Sequence, residues 1–175
     1  FQLDVVVHSE EQVELIEAAE SSKSLCVFLK VNSGMNRLGI RSDLVAGFYH
    51  RLKRCAAVNF VTAMTHYADA DVAGGVDWQN INFSASLGSL SLATSKSNSA
   101  SLIYSGSKKE NWVRPGIMLY GSSPIADVTA ASLGLKPAMT LKSKVIAIQH
   151  LKAGDRVGYG GTFTAKSDMR IGIVA

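Results

Sequence analysis

The stretch Asn111-Trp112-Val113-Arg114-Pro115-Gly116-Ile117-Met118-Leu119-Tyr120-Gly121 governs how the remainder of the chain is read. Its apolar residues describe a buried strand, and Arg114 stands at the exit of that strand, directly before Pro115 and Gly116. A guanidinium keeps its proton at any physiological pH. The stretch therefore predicts a fixed cation beside a turn with open backbone amides, a setting that suits an anionic, aromatic ligand. Taken alone, an arginine at a strand end is also explained by simple solvation, so its meaning depends on its surroundings.

Upstream, strand and helix alternate. Residues 3–8 form a β-branched run, and Ser9 with Gln12 gives a capping-box signal ahead of Val13, Ile16 and Ala19 at helical spacing. Residues 25–31 are almost continuously apolar, as in strands covered on both faces. After the loop 32–39, Ser42 opens a helix with Leu44, Val45, Phe48, Leu52 and Cys55 along one face. A third strand, 59–65, ends at His66, and a helix from Val76 carries Trp78, Ile81 and Ala85 at helical intervals. A short strand near Leu92 then precedes Asn98-Ser99-Ala100. Such alternation predicts an α/β fold, a parallel sheet with helices outside it. No short repeat is evident, although serine is dense between Ser84 and Ser107.

The pattern changes after Gly121. Residues 122–137 hold two of the three prolines and little periodicity, so they read as a linker that closes a first domain at 1–121. From Ala138 to the end, 138–175, apolar and polar residues alternate through Met139, Leu141, Val145, Ile146 and Ile148, turn at Ala153-Gly154-Asp155, and resume at Val157, Tyr159 and Phe163. This predicts a mainly antiparallel β region.

Composition narrows the function. At 175 residues, with 47% hydrophobic and 18% charged, the chain has the material for a core. No apolar run approaches the roughly 20 residues of a membrane span, and no basic-then-apolar leader is present, so a soluble cytoplasmic protein without membrane partners is expected. Cys26 and Cys55 lie in apolar stretches without metal-ligand spacing, which favours core packing over a disulfide, a zinc site or a nucleophile. The net charge of +4 is modest and its basic residues are dispersed, which speaks against nucleic acid as a partner.

If the first region belongs to a (β/α) barrel, polar residues at the carboxyl ends of its strands gather on one rim. Lys30 ends one strand, and Arg37 sits in the loop between Gly34 and Gly39. His66 ends another, Asn98-Ser99-Ala100 follows the next as a helix start, and Arg114 with Gly116 completes the set. Each has an ordinary explanation as well: a snorkelling lysine, a scaffold histidine, a helix cap. Tyr159 lies among Gly158, Gly160 and Gly161, which strip its backbone of neighbours and project its ring; a packing tyrosine in a glycine-rich turn is the plainer reading.

Together these segments, in this order and at these spacings, resemble the alanine racemase family, and Leu135-Lys136-Pro137-Ala138-Met139-Thr140-Leu141-Lys142-Ser143 adds a further match. The resemblance covers essentially the whole chain. It implies a fold-type III pyridoxal-phosphate isomerase that interconverts L- and D-alanine for peptidoglycan or alanine catabolism. It also implies a (β/α)8 TIM barrel, a C-terminal β domain and a head-to-tail homodimer. Carried over, Arg37 would steer the cofactor's phenolic oxygen and the substrate carboxylate, and Lys30 would be the lysine that many members carry as a carbamate. His66 would hydrogen-bond Arg114, which faces the pyridine nitrogen. Asn98 and Ser99, with the amides of Gly116 and Ile117, would hold the phosphate, and Tyr159 would be a catalytic base delivered to the partner subunit. No metal is implied.

The chemistry of those roles is coherent. Racemisation needs two groups on opposite faces of the cofactor, and a tyrosine with a reference pKa of about 10 needs positive charge nearby to act as a base. An arginine at the pyridine nitrogen makes the ring a poorer electron sink and restrains transamination, whereas a fold-related decarboxylase would place an acid there. A broad-specificity amino-acid racemase shares these motifs. A non-catalytic pyridoxal-phosphate-binding homeostasis protein would stop at the barrel. The family usually has Asp-Thr-Gly where this chain has Asn32-Ser33-Gly34, which removes one loop carboxylate. The chain opens on Phe1 and closes mid-pattern, so it reads as a central fragment: the later barrel strands, the linker and the opening of the β domain. The Schiff-base lysine is expected upstream of Phe1, the fragment is expected to be inactive alone, and apolar surface is expected at both edges.

Overall fold

The computed structural model describes residues 3–19, 24–105 and 110–175; Phe1 and Ser107, named above, lie outside them. Contacts divide the chain into two compact units, Phe1–Ala138 and Met139–Ala175.

In the first unit, β1 (Val5–Val7), β2 (Leu25–Lys30), β3 (Val58–Met64) and β4 (Ala93–Ser95) pair in parallel in the order β1-β2-β3-β4. Between and after them run α1 (Glu10–Glu17), α2 (Val45–Arg54), α3 (Asp77–Leu87) and α4 (Ser99–Ser105). Neighbours in sequence are neighbours in the sheet, without the reversal of order that marks a doubly wound fold, which is the topology of a barrel segment. Side chains alternate across a strand. Val7, Val27, Leu29, Val61 and Ala63 accordingly pack on Val13, Val45, Phe48, Leu52 and Phe83 from the helices. On the opposite face, Val6 and Phe60 remain exposed, and Phe28 meets Trp112 edge-on at 5.8 Å between ring centroids. Lys30 pairs with Met64, and Met64 with Ser95, so three strands end level and their following loops begin on one rim.

Several expectations need correction. The stretch around Arg114 is not a buried strand: a single bridge joins Trp112 to Ser95, Trp112 and Val113 are exposed, and Ile117–Tyr120 is a 3₁₀ turn. The Asn111 side chain takes the Thr94 amide, and Pro115 has no N–H to continue a ladder. The capping box of α1 does not form. Ser9 makes no side-chain cap, and Gln12 accepts instead from the His8 amide at 2.7 Å. The helix at Ser42 begins as a 3₁₀ turn, Ser42–Leu44, before α2. In α3 the period is right and the phase wrong: Trp78 and Ile81 are 41% and 70% exposed, and Gln79, Phe83 and Ser86 are the buried residues.

The second unit holds two antiparallel pairs, β5 (Val145–Leu151) with β8 (Met169–Val174) and β6 (Arg156–Val157) with β7 (Phe163–Thr164). Met139 and Leu141 precede these strands and are exposed, so the alternation begins later than predicted. Gly154 turns the chain with φ of 95°, where the sequence placed a turn. Leu3 near one end of the chain, and Ile173 and Val174 near the other, are exposed apolar residues as expected.

Burying a leucine fully contributes about 1.5–3 kcal/mol, and truncation adds a cavity term. Leu29→Ala, at a fully buried position, is expected to lower unfolding free energy by about 3 kcal/mol in urea titrations, whereas exposed Leu15→Ala should change it by less than about 0.5 kcal/mol.

Candidate active site

The rim is built on Thr65, the buried residue that follows β3. Its amide donates to Ser95 O at 3.0 Å, its hydroxyl donates to Val31 O at 2.9 Å, and its carbonyl accepts from Arg114 Nη2. Arg114 Nη1 donates to Ser95 Oγ, and Nη2 also reaches Lys96 O at 3.3 Å. Three of the five guanidinium N–H groups are thus directed to the ends of β3 and β4, and the described hydrogen bonds leave Nε–H and one N–H of Nη1 for a ligand or solvent. The expected bond between His66 and Arg114 is not among them. Those two residues are coupled by charge: burial first, then the charges of Arg114, Arg37 and Lys30, hold the His66 pKa below its ordinary value.

Lys30 is likewise depressed, by burial and then by the charges of Arg37 and Arg114. Lys30, Arg37, His66 and Arg114 therefore share one cationic neighbourhood. Arg37 is exposed near the tip of a loop closed by Ile40 N–H to Lys30 O at 2.7 Å and Asn32 N–H to Ile40 O at 2.9 Å. Gly39 is obligatory in that closure, because its φ is +134° and a Cβ there would lie 2.6 Å from the Asn32 nitrogen. The departure at Asn32 is accommodated: its Oδ1 accepts the amides of Gly34 and Asn36, both at 3.1 Å, and its Nδ2 donates to Asn36 Oδ1 at 3.0 Å. A carboxylate could make the first two bonds but not the third.

At the far side of the rim, buried Ser99 opens α4, and its Oγ accepts from Gly116 N–H at 2.7 Å and Met118 N–H at 3.4 Å. Asn98 caps that helix through its side-chain oxygen to Ser101 N–H at 3.1 Å. A cavity of about 420 Å³ gathers His66, Asn98, Ser99, Arg114, Gly116 and Ile117 with Met35, Tyr67 and Asp71. Ligand sites commonly span roughly 300–1,000 Å³. Arg37 and Lys30 act on it through their charge and do not line it. Tyr159, in the second unit, stands fully exposed at 105% after Gly158 with φ of 69°.

Glu110 and Tyr67 also belong to the site, although neither stands out by residue type or spacing in the sequence. Glu110 accepts from the amides of Lys96 and Ser97 at 3.0 and 2.9 Å and from Ser97 Oγ at 2.8 Å, setting the loop that carries Lys96 O to Arg114. Its position just ahead of the Asn111 stretch was the available signal. Tyr67 donates to Asn80 Oδ1 at 2.7 Å, and burial with the charge of Glu110 pushes its pKa up to about 12. The cysteines are free; Cys55 donates to Arg51 O at 3.3 Å, and burial raises its pKa. Among the described residues no metal cluster occurs, and no helix is long and apolar enough to cross a membrane.

Sheet order and rim together define a parallel α/β protein of barrel type with a cavity at its strand ends. Residues 1–124 match the family model described as alanine racemase, N-terminal domain, and residues 138–175 match alanine racemase, C-terminal domain. The chain belongs to the alanine racemase family. It is 47% identical over 170 residues to an alanine racemase of Thiobacillus denitrificans, covering 97% of this chain and 46% of that protein. It is 46% identical over 178 residues to one of Nitrosospira multiformis, covering 100% and 50%. The crystal structure of the biosynthetic alanine racemase from Pseudomonas aeruginosa superposes with a TM-score of 0.88 at 39% identity, covering 99% of this chain and 49% of that one. The chain spans about half the length of the curated relatives it matches.

The depressed His66 pKa gives a titration prediction. By NMR the ring should titrate below the reference value of about 6.5. Because the native value is the lower one, this group's stabilising contribution is present above about 6.5 and is lost as pH falls toward the native pKa. Arg114→Gln and Arg37→Gln each remove a repelling charge, so each should move the His66 midpoint upward.

Proposed function

We propose that this chain supplies the cofactor-holding rim and one catalytic base of a pyridoxal-phosphate-dependent alanine racemase. The observation that carries the reading is Arg114, a permanent cation fixed by Ser95 and Thr65 in the same cavity as Ser99 and the Gly116 amide. The donor set fits the cofactor: the Ser99 hydroxyl hydrogen and the Ile117 amide are uncommitted among the described hydrogen bonds and suit a phosphate, to which Gly116 N–H would turn from Ser99 Oγ, and a guanidinium with Nε–H unspent suits an aromatic nitrogen at the other end. Asn98, Ser99, Gly116 and Ile117 would hold the phosphate. When bound, pyridoxal phosphate supplies a conjugated ring that stabilises negative charge at the substrate's α-carbon.

Burial lowers the Arg114 pKa, but from a reference so high that the group remains charged. It would therefore donate a hydrogen bond to the ring nitrogen of a bound cofactor without giving up its proton, which would keep the electron sink mild and favour racemase chemistry over transamination. His66 stays neutral beside this charge, and Arg37, exposed on its loop and in no ion pair among the described residues, is a cation suited to a carboxylate. Tyr159 Oη takes the α-proton on one face, in the partner's site of a homodimer, and a base on the other face returns one. Residues 138–175, with their racemase-type C-terminal match, support this reading over a barrel-only cofactor-binding protein.

Lys30 is suited to carry a carbamate. Its depressed pKa increases the neutral amine that attacks carbon dioxide, and the product anion would offset the charges of Arg37 and Arg114. Incubation with ¹³C-bicarbonate is expected to give a carbamate carbon signal that Lys30→Met abolishes.

Function is tested by replacing the matching half of the Thiobacillus denitrificans relative with residues 1–175. The folded chimera is expected to bind pyridoxal phosphate and form D-alanine from L-alanine. A chimera that folds and loads cofactor yet yields no D-alanine would overturn the assignment. The 175-residue chain alone should bind without turnover, since no lysine lines the cavity among the described residues.

A further inference from the structure

The inward face of α3 carries two polar residues, Gln79 and Ser86, beside Phe83, and Gln79, in the first turn, has no exposed surface. Every hydrogen-bonding group of its carboxamide is used. Nε2 donates to Ser33 Oγ and to His66 O, each at 3.1 Å, and Oε1 accepts from Ala68 N–H at 2.6 Å. The amide orientation follows from the partners, since a carbonyl requires a donor and an N–H requires an acceptor.

Proton counting extends the chain. The Thr65 hydroxyl has one hydrogen, which goes to Val31 O at 2.9 Å. The 2.7 Å contact between Ser33 Oγ and Thr65 Oγ1 is therefore donated by Ser33, which is free to do so because it accepts from Gln79. The result is a one-way relay, Gln79 to Ser33 to Thr65 to Val31, that joins α3 to the ends of β2 and β3. Thr65 is then held on both sides, through its hydroxyl by this relay and through its carbonyl by Arg114. Asn82, one helical turn on, adds Nδ2–H to Ser33 O at 3.1 Å.

We infer that Gln79 is a positioning residue for the racemisation site: its carboxamide sets the loop bearing Arg37 and the turn bearing His66 in register with the guanidinium of Arg114. The inference rests on the proposed function. An apolar residue could fill the same space, but replacing Gln79 alone leaves Ala68 N–H and His66 O without this partner and so lowers stability, which is why activity per loaded site and not stability is the deciding readout. What an apolar residue could not do is specify the relative placement of two loops whose residues, Met35, His66 and Ala68, line the cavity. Phosphate binding is separate, because Ser99 and Gly116 belong to other segments.

The test uses the cofactor-loaded racemase carrying this sequence, with Gln79→Met, Ser33→Ala and the double variant. Gln79→Met is expected to retain cofactor content and lower kcat per loaded site by about 10- to 100-fold, the scale of a misplaced catalytic group. The double variant should be no worse than the more impaired single one, because both interrupt one relay. In the cofactor-free protein, Gln79→Met should speed Ala68 amide exchange and shift the His66 ring resonances. Unchanged kcat per loaded site, with only a lower melting temperature, would overturn the positioning role. If Gln79→Met does not fold, Ser33→Ala carries the same comparison through the His66 resonances and kcat. Should the unmutated protein not racemise alanine, the functional reading fails, and the clamp is still decided by Ala68 exchange and the His66 signals.

Discussion

A guanidinium held by uncharged partners is the constraint on which this molecule turns. Arg114 directs three of its N–H groups to Thr65 O, Ser95 Oγ and Lys96 O, with Glu110 the acidic residue whose charge favours its ionised form. Withdrawing such a charge from water is costly unless its donors are satisfied. The ends of β3 and β4 must therefore stay where their carbonyls and hydroxyl meet it. That requirement explains the absence of exposed surface at Ser95 and the near-complete burial of Thr65, two small polar residues at positions that a sheet would ordinarily give to larger apolar ones.

The fold separates support from chemistry. On the helix-facing side of the sheet, Val27, Leu29, Val61 and Ala63 pack against α2 and its neighbours with no polar group to place. At the rim the balance reverses: Ser33, Thr65, Gln79, Ser95 and Ser99 are all buried, and among the described residues no buried side-chain polar atom lacks a partner. A fully satisfied polar network of this kind rigidifies and specifies one arrangement, whereas a partly satisfied one would be worse than an apolar core.

Much of this was legible in the residues. The apolar runs that became β2 and β3 and the periodic face of α2 depend on local pattern, which sequence displays directly. The rim residues Arg114, His66 and Ser99 were legible because each follows a predicted strand, and the structure brings all three to one cavity. What failed was phase and pairing. In α3, Trp78 and Ile81 suggested the buried face, yet the buried position is Gln79, because partners at Ser33, His66 and Ala68 made burial of an amide favourable. Those partners are 46, 13 and 11 residues away, beyond the reach of any periodicity. The Arg114 segment resembled a strand because its composition is apolar, but pairing requires free backbone groups, and Asn111 and Pro115 interrupt them.

The Asn32 loop has a wider effect. An uncharged amide there makes the turn bonds a carboxylate would make, so the loop closes without adding an anion beside Lys30, Arg37 and Arg114. At the mouth of the cavity three cationic side chains therefore lie near one another, with Asp71 in the lining and Glu110 near Arg114 as the acidic residues set against them. A local excess of positive charge favours the approach of small anions over cations, and such a pull fades beyond roughly 8 Å at physiological ionic strength.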